Sequence, residues 1–150
     1  MSRNVNIVIL CEDRQHEAFA RRFLALAGKG MRVQRVEISP SGRGSGEQFV
    51  RERYAKELNY YRSRKHCVAQ ALVIMIDADG RDIEARIAQI EDAAAKSGES
   101  QRATGERVAI FVPARNIETW LAYLDGQTVD EKRKQPYPRL QRERDCQQHV

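Results

Sequence analysis

The sequence predicts an α/β protein: a three-layer sandwich with helices on both faces of a central, mostly parallel sheet of about four strands. Three observations lead there. The stretch Ala71–Asp79 (ALVIMIDAD) opens with six consecutive apolar residues and stops at two carboxylates, the signature of a strand buried on both faces. Asn4–Cys11 (NVNIVILC), a helical pattern over Gln15–Ala27, and Met31–Ile38 (MRVQRVEI) make a β-α-β unit, and the right-handed crossover of such a unit makes its two strands parallel. Strand and helix patterns then go on alternating to Leu124, as a layered α/β domain requires.

Each element has its own signal. In Gln15–Ala27, Phe19, Phe23, Leu24 and Leu26 recur at near-helical spacing, and Gly28-Lys-Gly30 ends the helix. Met31–Ile38 alternates apolar with polar residues and predicts a less buried strand. Ser39–Gly46 (SPSGRGSG) is a loop by composition. Glu47–His66 places Phe49, Val50, Tyr54, Leu58 and Tyr61 on one helical face with Arg and Lys opposite. After the strand that ends at Asp77, a helix is expected over Arg81–Lys96, a polar loop over Ser97–Glu106, and a fourth strand over Arg107–Val112, stopped by Pro113. A short helix over Asn116–Leu124 turns Ile117, Trp120, Leu121 and Leu124 inward. We read residues 1–125 as one α/β domain and 126–150 as a basic segment, irregular or part of a longer C-terminal region.

Composition narrows the class. The 150 residues carry 26 Lys+Arg against 21 Asp+Glu, a net charge of +5, which modestly favours polyanionic partners. The basic residues concentrate in Arg51–Arg64 and Lys132–Arg144. Nothing is apolar for long enough to span a membrane, and no secretory signal opens the chain. Cys11, Cys67 and Cys146 form no CxxC pair, so neither a disulfide framework nor a cysteine zinc site is indicated, and a reducing cytoplasm is the default location.

The chemistry is expected at the strand ends. Asp77 and Asp79 close a buried strand, where open α/β sheets bind their ligands. In extended backbone, residues two apart face one way, and two neighbouring carboxylates invite a hard divalent cation such as Mg²⁺. Glu12 ends the first strand, and Arg115 and Glu118 follow the fourth. If strands one, three and four are neighbours, these groups converge. Such a cluster can hold one or two Mg²⁺ or Mn²⁺ ions for phosphodiester displacement, with Arg115 as a planar clamp on a phosphate oxygen.

A Glu after the first strand, Asp-x-Asp after a later one, and a further acid downstream resemble the Toprim domain. That catalytic fold is shared by primases, topoisomerases, recombination and repair proteins and OLD-type nucleases. The nearest likeness is to small stand-alone Toprim-like proteins of bacterial defence and mobile elements, in which a phrase similar to Val112–Trp120 (VPARNIETW) follows the fourth strand. The resemblance covers about Val5–Leu124. It implies a nuclease acting on DNA or RNA, with Glu12 as acid/base or metal ligand, Asp77 and Asp79 as the metal pair, and Glu118 at the later acidic position. It also implies a possible separate ATPase partner. Toprim proteins commonly have Gly after the first glutamate, where this chain has Asp13.

Plainer readings stand beside these. Asp77 and Asp79 can cap the next helix, and Glu12 can be a solvated strand end. Asp13 is expected as a helix N-cap, His16 as a solvent-facing helical residue rather than a general base, and Cys11 as a small buried hydrophobe. Arg115 can pair with a carboxylate, and Glu118 can be an exposed helical acid. The Arg51–Lys65 run is either a wet helix face or, through Tyr54, Tyr60 and Tyr61, a stacking surface for nucleic acid. Ser39–Gly46 lacks a Walker loop's Lys-Ser/Thr ending and is expected to be flexible. Two other functions remain: a catalytically inert module that binds nucleic acid or a partner, and a receiver-like signalling domain. The receiver is disfavoured because Asp77 comes late and no Lys follows the last strands.

Overall fold

The computed structural model describes residues 4–42, 44–124 and 126–130. Four strands and four helices alternate: β1 (Val5–Cys11), α1 (Arg14–Ala27), β2 (Met31–Ile38), α2 (Gly46–Arg64), β3 (Gln70–Met75), α3 (Ile83–Lys96), β4 (Val108–Phe111) and α4 (Ile117–Leu124). The sheet order is β2-β1-β3-β4, and every pairing is parallel. The expected α/β fold is therefore present, with a wholly parallel sheet. Among the described residues no helix is long and apolar enough to cross a membrane. The basic run Lys132–Arg144, and most of the expected 126–150 segment, lie outside the described residues.

Strand alternation assigns the layers. Val8 and Leu10 of β1 and Leu72, Ile74 and Ile76 at β3 pack with Val50, Tyr54 and Leu58 of α2 and Ile90 and Ala94 of α3. Ile7, Ile9 and Cys11, with Val73 and Met75, pack on the opposite face with Ala20 of α1 and Ile117 of α4. Ile9, Leu10 and Ile74 are fully buried. Burying each such side chain is worth about 1.5–3 kcal/mol, so the two central strands anchor both layers.

β2 departs from simple alternation, for a reason visible in its residues. Its apolar positions, Val33, Val36 and Ile38, slip by one residue across Gln34-Arg35. The register slips there too: Ile7 pairs with Val33 but Val8 pairs with Arg35. The bulge absorbs the extra residue, and Val33, Val36 and Ile38 all reach the α1 layer. Arg35 is left to meet Glu57 of α2 and Glu37.

Much of the basic face of α2 is used internally. Arg51 pairs with Glu47, Arg53 with Glu37 and Glu57, and Arg62 with Glu99 and Glu106. Tyr54 and Tyr61 are core residues, and the Tyr61 hydroxyl accepts the Arg107 N–H at 2.8 Å. Of the three tyrosines expected to offer stacking surfaces, only Tyr60 is exposed, and the Arg35 and Arg64 guanidinium groups lie over its ring.

Candidate functional site at the β1/β3 switch point

In this strand order the chain leaves β1 towards β2 on one side, and β3 lies on the other. Ligands of open α/β sheets bind at such a switch point, beyond the carboxyl ends of the strands. Glu12 follows β1 there and Asp77 follows β3. The pairing Cys11↔Met75 sets the two strand ends level. Glu12 Oε1 then accepts the Asp77 backbone N–H at 2.7 Å.

Alternation decides where Asp77 points. Ile76 and Ala78 belong to the α2/α3 layer, so Asp77 faces the α1 layer, as Val73 and Met75 do. There it meets His16, whose Nε2 lies 3.0 Å from Asp77 Oδ1. His16 is not the solvent-facing residue expected; its exposure is 0%. Part of the signal was available: His16, Phe19 and Ala20 have the i, i+3, i+4 spacing of an inward helical face, although Phe23, one turn further on, is exposed. Asp13 is the α1 N-cap as expected, accepting the His16 backbone N–H at 3.0 Å. The same oxygen lies 3.7 Å from His16 Nδ1.

Asp79 does not share the direction of Asp77. Its φ is +53°, the left-handed region, and Gly80 follows at +77°. The rule for extended residues two apart lapses where the strand ends, and Asp79 turns towards the α3 side. Its side chain is 63% exposed, and Oδ2 is 3.6 Å from Arg86. Arg86 is not among the residues that the sequence singles out. It is buried, pairs with Glu47 at 2.8 Å, and belongs to the inward stripe 86, 90, 94 of α3. Neither Asp77 nor Asp79 caps that helix; Asp82 does, accepting the Ala85 N–H at 2.8 Å.

The turn is clamped by the segment after β4. The N–H groups of Ala78, Asp79 and Gly80 donate to the carbonyls of Pro113, Arg115 and Ala114 at 2.9–3.0 Å. The Arg115 guanidinium lies over Gly80, where an added Cβ would come within 2.2 Å of Nη1. Arg115, from the segment after β4, thus packs on the turn that follows Asp77. Glu118 stands in the first turn of α4, half-buried on the same edge of the sheet. The loop 39–46 also ends at the site: a Cβ on Gly46 would fall 2.8 Å from Glu12 Cβ, so glycine lets the start of α2 settle on Glu12.

The charges here are strained against one another. Burial, then the Asp77 charge, pushes the Glu12 carboxyl up to about 7, although the Asp77 N–H and His16 pull the other way. Burial also raises Asp77, only partly offset by His16. For His16, burial favours the neutral ring, but the Asp77 hydrogen bond and the Asp77, Asp13 and Glu12 charges prevail and raise its proton affinity. Cys11 is fully buried, and burial pushes its thiol up, as suits an inert core residue.

Among the described residues, no group of three or more His, Cys, Asp or Glu is set to hold a metal ion. The four-carboxylate cluster expected from Glu12, Asp77, Asp79 and Glu118 is thus not assembled as a cage. What is assembled is a pair, Glu12 and Asp77, whose charges oppose each other. Mg²⁺ is usually bound through one or two carboxylates and keeps several waters, and the pair fits that demand. Comparison with family models, curated proteins and solved structures finds no match to this chain.

Proposed function

We propose that this protein is a Mg²⁺- or Mn²⁺-dependent phosphodiesterase acting on DNA or RNA, with Glu12 and Asp77 holding the ion. The observation that carries the reading is the meeting of these two carboxylates, from strands far apart in sequence, at the switch point of a parallel sheet. Their mutual repulsion supports a cationic ligand, because a divalent ion relieves it. Bound there, such an ion would supply positive charge to phosphate oxygens and acidify a water.

The chain's own groups have separable tasks. Asp77 offers Oδ2, since Oδ1 is engaged by His16. Glu12 offers Oε2, since Oε1 holds the Asp77 amide. Arg115, seated over Gly80, is placed to orient a phosphate through its fork. Arg14 and Arg81 follow the ends of β1 and β3 and are exposed, which favours approach of a polyanion. Asp79 and Glu118 lie at the rim. The Toprim-like order of acidic residues agrees with this reading and suggests a role in bacterial defence.

A second reading, an inert nucleic-acid-binding module, is favoured by the internal bonds of both carboxylates and the turn of Asp79 towards Arg86. A receiver-like phosphoacceptor at Asp77 is disfavoured, because His16 occupies Oδ1 and the side chain is only 12% exposed. Cleavage of labelled single- and double-stranded DNA and RNA in Mn²⁺ discriminates the readings. We expect cleavage that EDTA stops and that Asp77→Asn reduces at least about 100-fold, as for loss of a principal transition-state group. Salt-sensitive binding without cleavage would favour the inert module.

A further inference from the structure

We propose that His16 is a positioning residue that fixes the Asp77 carboxylate for its ligand, an inference that rests on the Glu12–Asp77 site proposed above. An ionised carboxylate only accepts hydrogen bonds, so in the 3.0 Å contact His16 Nε2 donates to Asp77 Oδ1. The bond ties one oxygen to α1 and leaves Oδ2 for a ligand.

His16 is anchored at its backbone and, through the ring, at Nε2. Its backbone N–H is bonded to the Asp13 cap, and the same Asp13 oxygen faces Nδ1 at 3.7 Å. Nδ1 is buried and makes no hydrogen bond. A polar ring at this depth carries a desolvation cost, on a helical face it shares with the apolar Phe19 and Ala20. A hydrophobic residue would fill that face more cheaply. The ring's hydrogen bond goes to a carboxylate at a switch point, which is what a positioning role requires. Groups that bond to metal-ligating carboxylates act in this way, and losing one typically weakens metal affinity 10–100-fold.

The test is Mn²⁺ titration by calorimetry on the full chain carrying His16→Leu, His16→Asn or His16→Gln, with thermal unfolding in EDTA as the check on folding. Gln reaches about as far as Nε2 and keeps a donor; Asn falls short; Leu fills the space without one. We expect His16→Gln to stay within about threefold of wild type, and His16→Leu and His16→Asn to lose roughly 10–100-fold while remaining folded. If Leu does not fold, the Gln/Asn contrast decides alone. Equal affinity in all variants, or equal loss in Gln and Asn, overturns the role of His16 while leaving the site intact. A wild type that binds no Mn²⁺ overturns the site and the role together.

Discussion

At Glu12, burial and the Asp77 charge act in the same direction, and the result is measurable without any substrate. In EDTA, a carboxyl raised from 4.5 to about 7 keeps its proton in the folded protein over a window in which the unfolded chain has lost it. Glu12 therefore favours folding fully below about pH 4.5, and that contribution is lost as pH rises to about 7. The raised proton affinities of His16 and Asp77 act with the same sign. Glu12→Gln keeps an acceptor for the Asp77 amide and removes the charge. It should stabilise the metal-free protein at pH 8 by about 1–3 kcal/mol and flatten the fall between pH 5 and 8. Urea unfolding at the two pH values checks this; an unchanged slope would mean that Glu12 is not under repulsion. Of the residues proposed for the site, Glu12 and Asp77 were legible because each follows a strand end. For His16 the spacing with Phe19 and Ala20 hinted at burial, but its partner Asp77 was not legible, because only tertiary packing brings the two together.

At the scale of elements, the turn after β3 depends on two left-handed residues in succession and on a guanidinium packed over the second. Gly80→Ala strains a φ of +77° and sets a methyl group against Arg115. A destabilisation of about 1–3 kcal/mol is expected, read as a lowered denaturation midpoint, with Arg115 displaced from the site. An alanine that unfolds like wild type would show that the turn adapts freely. The element boundaries themselves were readable within a few residues from apolar runs, caps and glycines. Two features were not. The bulge at Gln34 shows only in the slipped spacing of Val33 and Val36, and the left-handed Asp79, which an Asp-Gly step permits, is held by the turn's backbone bonds to Pro113–Arg115. That single φ separates two carboxylates that extended geometry would have aligned.

For the whole molecule, the net charge of +5 overstates what is available to a polyanion. Arg51, Arg53 and Arg62 are engaged with neighbouring carboxylates; the first two pairs have the i,i+4 spacing of a helix, whereas Arg62–Glu106 is disclosed only by the fold. The exposed Arg14 and Arg81, by contrast, flank the site. Measured as log affinity for nucleic acid against log salt, Arg14→Ala and Arg81→Ala should each reduce the slope by about 1, and Arg53→Gln should leave it unchanged. The opposite ranking would move the binding surface to α2. Whether Glu12 and Asp77 together hold a divalent ion can be read from anomalous diffraction by crystals soaked in Mn²⁺. A peak is expected between the two carboxylates, about 2.0–2.3 Å from an oxygen of each, with His16 still on Asp77 Oδ1. No peak there at saturating Mn²⁺, with Glu12 still bonded to the Asp77 amide, would contradict the proposed site.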